Sequence, residues 1–295
     1  MKGPFESKPV VAALVVPGIA VMVFSMLVPL LFSAYFSLTD WAGFGAFKFV
    51  GLENYVEILT ADPVFWRSLW NTFLLMVVTI VVQNPLAFAL AAVLAHVSQK
   101  LSRFLRTIYF VPAVLSLVII AKMWVNLMNP TYGLVNKVLA AVGLKALAIS
   151  WLSNPHTAIW AVIFIIVWQG FGWALLFYYA GLMTVPREIE EAARVDGASW
   201  LQTYLLVIVP YLYPAIAAVI VIDVISSMKQ MELIFLSTGG GPGQLTQFVS
   251  VYLYQKAFVS GEYGFGNALS VLFVGIAVGL TLLVQRFMRS APEER

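Results

Sequence analysis

The chain has 295 residues, of which 61% are hydrophobic and only 11% charged, with a formal net charge of +3. A soluble domain carries about 25% charged residues, so most of this surface is excluded from water and must face lipid. Cysteine is absent, which rules out a disulfide framework and thiolate metal sites.

A membrane-crossing helix needs about 20 mostly apolar residues. The first such run, 10–36, follows Lys2 and Lys8. A cleaved signal segment has an apolar stretch of roughly 7–15 residues closed by a small-residue site. This run is longer and lacks such a site, so it is read as a retained span. Residues 44–66 mix Phe, Val, Tyr and Trp with a few charges and are expected to form a structured loop. Further spans are predicted at 69–97, 107–128, 157–182, 204–227 and 265–288. Between them, the segment 133–139 is expected to form a short interfacial helix. Gly239 to Gly243 is a turn, since such a run cannot continue a helix. Pro17, Pro29, Pro85, Pro112, Pro210 and Pro214 fall within spans. They imply kinked helices, packed around a cavity or simply against one another. The expected fold class is all-α: a polytopic membrane protein of six helices, forming one domain over 1–295.

Lysine and arginine set the orientation. With the N-terminus in the cytoplasm, the inside segments hold Lys2, Lys8, Lys100, Arg103, Arg106, Arg187, Arg194, Arg286, Arg289 and Arg295. The outside segments are longer yet carry fewer cations, which satisfies the positive-inside rule. Both termini are therefore expected in the cytoplasm.

The inside segment 184–203 has its own helix signals. Pro186 suits a helix start. Glu188, Glu190 and Glu191 follow where the helix dipole favours acids. Arg187 with Glu191, and Glu190 with Arg194, stand at i, i+4. Gly197 is a stop. A short helix is thus expected at the cytoplasmic face, with Ile189, Ala192 and Ala193 as a small apolar face. On these grounds alone an ordinary amphipathic loop helix would suffice.

Glu191-Ala192-Ala193, then Asp196-Gly197-Ala198, with Pro210 nineteen residues after Glu191, resembles the EAA loop of ABC importer permeases. That family usually has Ile and Leu three and one residues before the proline, where Val207 and Val209 stand here. Val50-Gly51-Leu52-Glu53-Asn54-Tyr55, Asn129-Pro130-Thr131-Tyr132-Gly133-Leu134-Val135-Asn136, Thr238-Gly239-Gly240-Gly241-Pro242 and Leu269-Ser270 are similar to signatures of its carbohydrate-uptake-1 branch. The resemblance, nearest the glycerol-3-phosphate, oligosaccharide and maltose-type permeases, implies a type I importer permease for an oligosaccharide or sugar derivative, working by alternating access in a prokaryotic inner or cytoplasmic membrane. Glu188, Glu191, Ala192, Ala193, Asp196, Gly197, Ala198 and Pro210 would belong to the coupling loop that docks on the ATPase. Partners implied are an ATPase dimer, which would hold ATP and magnesium, an extracytoplasmic sugar-binding protein, and a second permease subunit, more often a distinct homologue than a copy. No nucleic acid is implied.

Other chemistries lack support. There is no G-x-x-x-x-G-K-[ST] phosphate loop, no H-E-x-x-H and no G-x-S-x-G. The chain is therefore not expected to be an enzyme, and ATP hydrolysis must come from elsewhere. His96 and His156 read as isolated residues near span ends rather than a metal site.

Ionisable groups inside a membrane are functional candidates. Lys122 and Asp223 are placed at similar depth. They could pair, Lys122 could snorkel to the surface, or both could line a watery path. Gln83 and Asn84 in the second span, and Trp168, Gln169 and Trp173 in the fourth, combine amides for sugar hydroxyls with aromatic platforms for sugar rings. Hydrogen bonding between helices is the competing explanation. An ion-coupled secondary transporter is the alternative function. It would need its own coupling-ion site and no EAA loop. A polytopic enzyme would need a His, Asp or Glu constellation at one membrane face.

Overall fold

The computed structural model describes residues 8–289, and among them helix dominates, the one extended pairing being an isolated antiparallel bridge between Thr39 and Phe49. In chain order the α-helices are α1 Lys8–Phe36, α2 Glu53–Thr60, α3 Pro63–Val78, α4 Asn84–His96, α5 Gln99–Val114, α6 Leu117–Leu127, α7 Leu134–Ala141, α8 Ala158–Leu182, α9 Arg187–Val195, α10 Trp200–Gln202, α11 Val209–Tyr211, α12 Tyr213–Lys229, α13 Glu232–Ser237, α14 Val249–Tyr254 and α15 Tyr263–Arg289. Among the described residues, Ala12–Phe36, Pro63–His96, Ala158–Leu182 and Tyr263–Arg286 are long and apolar enough to cross a membrane. Two bent pairs, Gln99–Val114 with Leu117–Leu127 and Trp200–Tyr211 with Tyr213–Lys229, bring the number to six if each pair is one span.

The stretches expected as single spans at 107–128 and 204–227 are therefore broken, by 97° and 74°. The causes are local. In the first, Leu115 and Ser116 are both extended, with ψ of 150° and 132°, just after Pro112 has removed a backbone donor. In the second, Leu212 lies between Pro210 and Pro214 at φ −86°, ψ 6°, and the Pro214 ring cannot pass the carbonyl four residues back. Wide π turns at Thr79–Gln83 and Thr203–Ile208 run up to Pro85 and Pro210. Each proline frees a carbonyl one turn earlier, and the wider turn accommodates it.

The described chain divides into two compact units, 8–62 with Leu253–Ile276, and Pro63–Tyr252 with the residues from Ala277 onward. In the first unit Asn54 Nδ2 donates to the carbonyls of Ser37 and Thr39, both at 2.9 Å, and the Tyr55 and Ser37 hydroxyls meet at 2.7 Å. The last four carbonyls of α1 are met locally, by Ser37 N, the Ser37 hydroxyl, Leu38 N and Thr39 N, and the Asn54 and Tyr55 bonds hold the turn that follows. Trp41 stacks on Phe36 at 4.2 Å, and its carbonyl accepts from Gly264 N at 2.8 Å.

In the second unit two apolar clusters lie along α8. Ala161–Ile166 pack with Leu75, Ile120, Leu233 and Phe248, and Ala174–Leu182 pack with Ala91, Leu94, Tyr204 and Ile208. The crossing of α8 with α5 depends on Gly172, where any Cβ would strike the backbone of Tyr109 and Phe110. Small residues permit such approach where lipid offers no hydrophobic drive to association. Outside the clusters, large apolar side chains are exposed on long helices: Phe24 and Leu31 on α1, Val81 and Leu86 beside Pro85, and Leu206 at 70%. Water would not tolerate such a surface, and a bilayer does.

Candidate functional site

A cavity of about 440 Å³ opens between α3–α4, α8 and α12. Its polar wall carries Thr79, Gln83, Gln169, Asp223, Ser226, Ser227 and Gln230, and its apolar wall includes Trp173 and Phe177. Local structure sets this display. The π turn at Thr79–Gln83 adds a residue to the helix and turns Gln83 inward, where it is 4% exposed. Gly170 on α8 lies beside the Gln83 amide, which a Cβ there would meet at an ordinary contact distance of 3.6 Å. Asn84 Nδ2 donates to Asp223 Oδ2 at 2.8 Å and ties α4 to α12. Buried polar groups need such partners. Asn84 Oδ1 is buried without one.

Of the seven sequence candidates for a substrate path, Gln83, Gln169, Trp173 and Asp223 share this wall, and Asn84 stands behind it holding Asp223. Trp168 and Lys122 are not on it. Trp168 packs edge-on against Trp124 at 5.3 Å. Lys122 is exposed on α6, and of the readings open for it the ion pair is absent, since Asp223 bonds Asn84. Thr79, Ser226, Ser227 and Gln230 are wall residues that sequence reasoning missed. Ser226, Ser227 and Gln230 follow Asp223 at i+3, i+4 and i+7, a helical spacing that marks them once Asp223 is known to face inward.

The second feature is α9. Pro186 is its N-cap, with ψ 138°, one position earlier than a helical start. Its C-terminus is a Schellman motif: Gly197 stands at φ +83°, Ala198 N reaches Ala193 O at 3.0 Å, and Gly197 N reaches Arg194 O at 3.0 Å. Ser199 then opens α10 with a capping box, its backbone N–H bonding Gln202 Oε1 at 2.8 Å. The helix has two faces. Ala193 is buried and Ile189 packs on the cluster of Leu182, Tyr204 and Leu94. Glu188, Glu191, Ala192 and Val195 point outward, Val195 being 87% exposed. Asp196 is exposed, Ala198 half-buried and Pro210 exposed further along. Of the two charge pairs expected, Glu190 with Arg194 forms at 3.8 Å. Arg187 and Glu191 are exposed, where such pairs contribute little.

Glu190 is also the hub of a contact that sequence reasoning missed. Its carboxylate lies 3.4 Å from His96 Nε2 and accepts from the Tyr204 hydroxyl at 3.5 Å. His96 Nδ1 lies 3.0 Å from Ala92 O. The end of α4, the start of the α10–α11 segment and α9 are thereby joined. His96 is thus not an isolated residue. No group of three His, Asp or Glu able to hold a metal exists among the described residues.

At the other end of α8 the loop 238–247 is fastened by Asn71, whose Nδ2 donates to Leu245 O at 2.9 Å and Gln247 O at 2.8 Å. The Thr238 and Thr246 hydroxyls meet at 2.7 Å. Asn129 Oδ1 accepts from the N–H groups of Thr131 and Tyr132, and Asn136 bridges Ile149 O and Trp151 Nε1. These signature residues shape loops.

Lipid-compatible helices around a polar cavity, with a short exposed helix bonded to their ends, define an all-α transport permease, of the type I importer fold. The chain belongs to the family of binding-protein-dependent transport system inner membrane components, which matches residues 83–291. A probable ABC transporter permease protein, YurN, of Bacillus subtilis is 34% identical and covers 95% of this chain and 96% of its own. The multiple sugar-binding transport system permease protein MsmF of Streptococcus mutans is 35% identical over 92% of each chain. A bacterial alginate ABC transporter, solved with an alginate pentasaccharide-bound periplasmic protein, shares the fold with a TM-score of 0.84 at 22% identity over 98% of each chain. The chain is the membrane component of such a system, and ATP hydrolysis falls to a separate subunit.

Proposed function

We propose that this chain forms half of the translocation pore of a binding-protein-dependent sugar importer, with the cavity beside Gln169 and Trp173 as its share of the sugar path. The two-faced α9 carries the reading. Its rear is bonded to two spans, while Glu188, Glu191, Ala192 and Val195 are left for a partner. On this reading the outward face docks on an ATPase dimer that holds ATP and magnesium, and closure of that dimer is passed through Glu190 to the spans. Both termini lie in the cytoplasm, the loops at 129–136 and 238–247 meet a sugar-binding protein outside, and a distinct homologue completes the pore. The amide-and-aromatic wall, and the relatives named for sugars, support the sugar.

Affinity purification from native membranes tests the assembly. An ATPase, a second permease and a binding protein are expected to accompany the chain. A chain that purifies alone, yet transports in liposomes under an ion gradient, would be a secondary transporter instead. For the path, Gln169→Ala with Trp173→Ala is expected to reduce sugar-stimulated hydrolysis by about tenfold without loss of assembly, two lost contacts of about 1 kcal/mol each being enough. Unchanged uptake kinetics would remove both residues from it.

A further inference from the structure

We infer that the cavity wall rejects acidic sugars and takes neutral, hydroxyl-rich ones, with Asp223 as the specificity-determining residue. The inference rests on the cavity being the sugar path. Among the described residues Asp223 is the ionisable group on that wall, and no Lys, Arg or His reaches it. Lys229, six positions on, is exposed and off the wall. Asp223 is held by a neutral amide, Asn84 Nδ2 at 2.8 Å, rather than by a cation. The amide orients the carboxyl group, and the wall offers no cation beside it. Sugar hydroxyls donate to a carboxylate, and the Gln83, Gln169 and Gln230 amides both donate and accept. A uronate, sulfonate or phosphate offers oxygens that only accept, and brings a charge into a cavity whose wall holds no Lys, Arg or His to balance it.

The test uses the intact importer complex in nanodiscs, titrated with matched neutral and uronic trisaccharides of gluco, galacto and manno configuration. In each pair showing binding, the uronic member is expected to bind at least about tenfold more weakly. Asp223→Asn keeps an acceptor for Asn84 and should narrow that gap below about threefold. Ser226→Lys, at an exposed wall position, adds a cation independently and should favour the uronic member. Equal binding of the two members in the wild type, or a gap unmoved by both variants, overturns the charge rule. Gln169→Ala separates that failure from the other. If it weakens neutral binding while no charge gap exists, the path stands and only the rule falls. If it leaves neutral binding unchanged, or no sugar binds, the cavity is not the path and both fall.

Discussion

Asn84 and Asp223 lie 139 residues apart and form one hydrogen bond between α4 and α12. Removing the donor by Asn84→Ala leaves a half-buried carboxylate short of a partner, which costs about 1 kcal/mol. The expected outcome is a thermal midpoint lower by several degrees in the solubilised complex. Asp223→Ala in the same chain should restore part of the loss, and strict additivity of the two single changes would mean the bond contributes nothing. The candidates were legible as residue types, since amides and a lone carboxylate at mid-depth of apolar spans stand out. Their facing was not. Depth alone leaves open whether Asp223 pairs with Lys122 or lines a path, whereas the rotation of each helix is fixed by packing and by the π turn at Thr79–Gln83. Neither leaves a periodic trace in the sequence.

At the scale of elements, α9 depends on its stop. No heavy atom would meet a Cβ on Gly197, so substitution there acts through the positive φ alone, at about 1–2 kcal/mol. Gly197→Asp is expected to fray the last turn and reduce co-purification of the ATPase, whereas Gly197→Asn, which tolerates the left-handed region better, should retain more. Glu191→Ala should weaken ATPase capture while Glu190→Gln should not, because Glu191 faces out and Glu190 faces the spans. Glu190→Gln or His96→Ala is instead expected to leave assembly intact and lower sugar transported per ATP hydrolysed. Loss of assembly in both would assign Glu190 to folding. The helix and its EAA resemblance were readable from local sequence. The His96 contact was not, because it spans 94 residues and a lone histidine carries no pattern.

At the scale of the molecule, apolar runs identify the spans, but not where they break. Prolines were seen, yet the bends at 115–116 and at Leu212 depend on which residues beside them take extended or bridging dihedrals. Gly172→Val is expected to reduce the yield of folded protein severalfold, since the added carbons meet backbone of α5 that cannot move aside. Size-exclusion profiles would show it. Deleting the ATPase gene is expected to abolish uptake, and persistence would favour ion coupling. The signature residues around 50–55, 129–136 and 238–242 fasten loops to one another and to helix ends, and none of them lines the cavity. On the proposed path, a replacement on the wall would therefore alter which cargo fits while leaving untouched the bonds that hold these loops, so selectivity and loop architecture are separable in one chain.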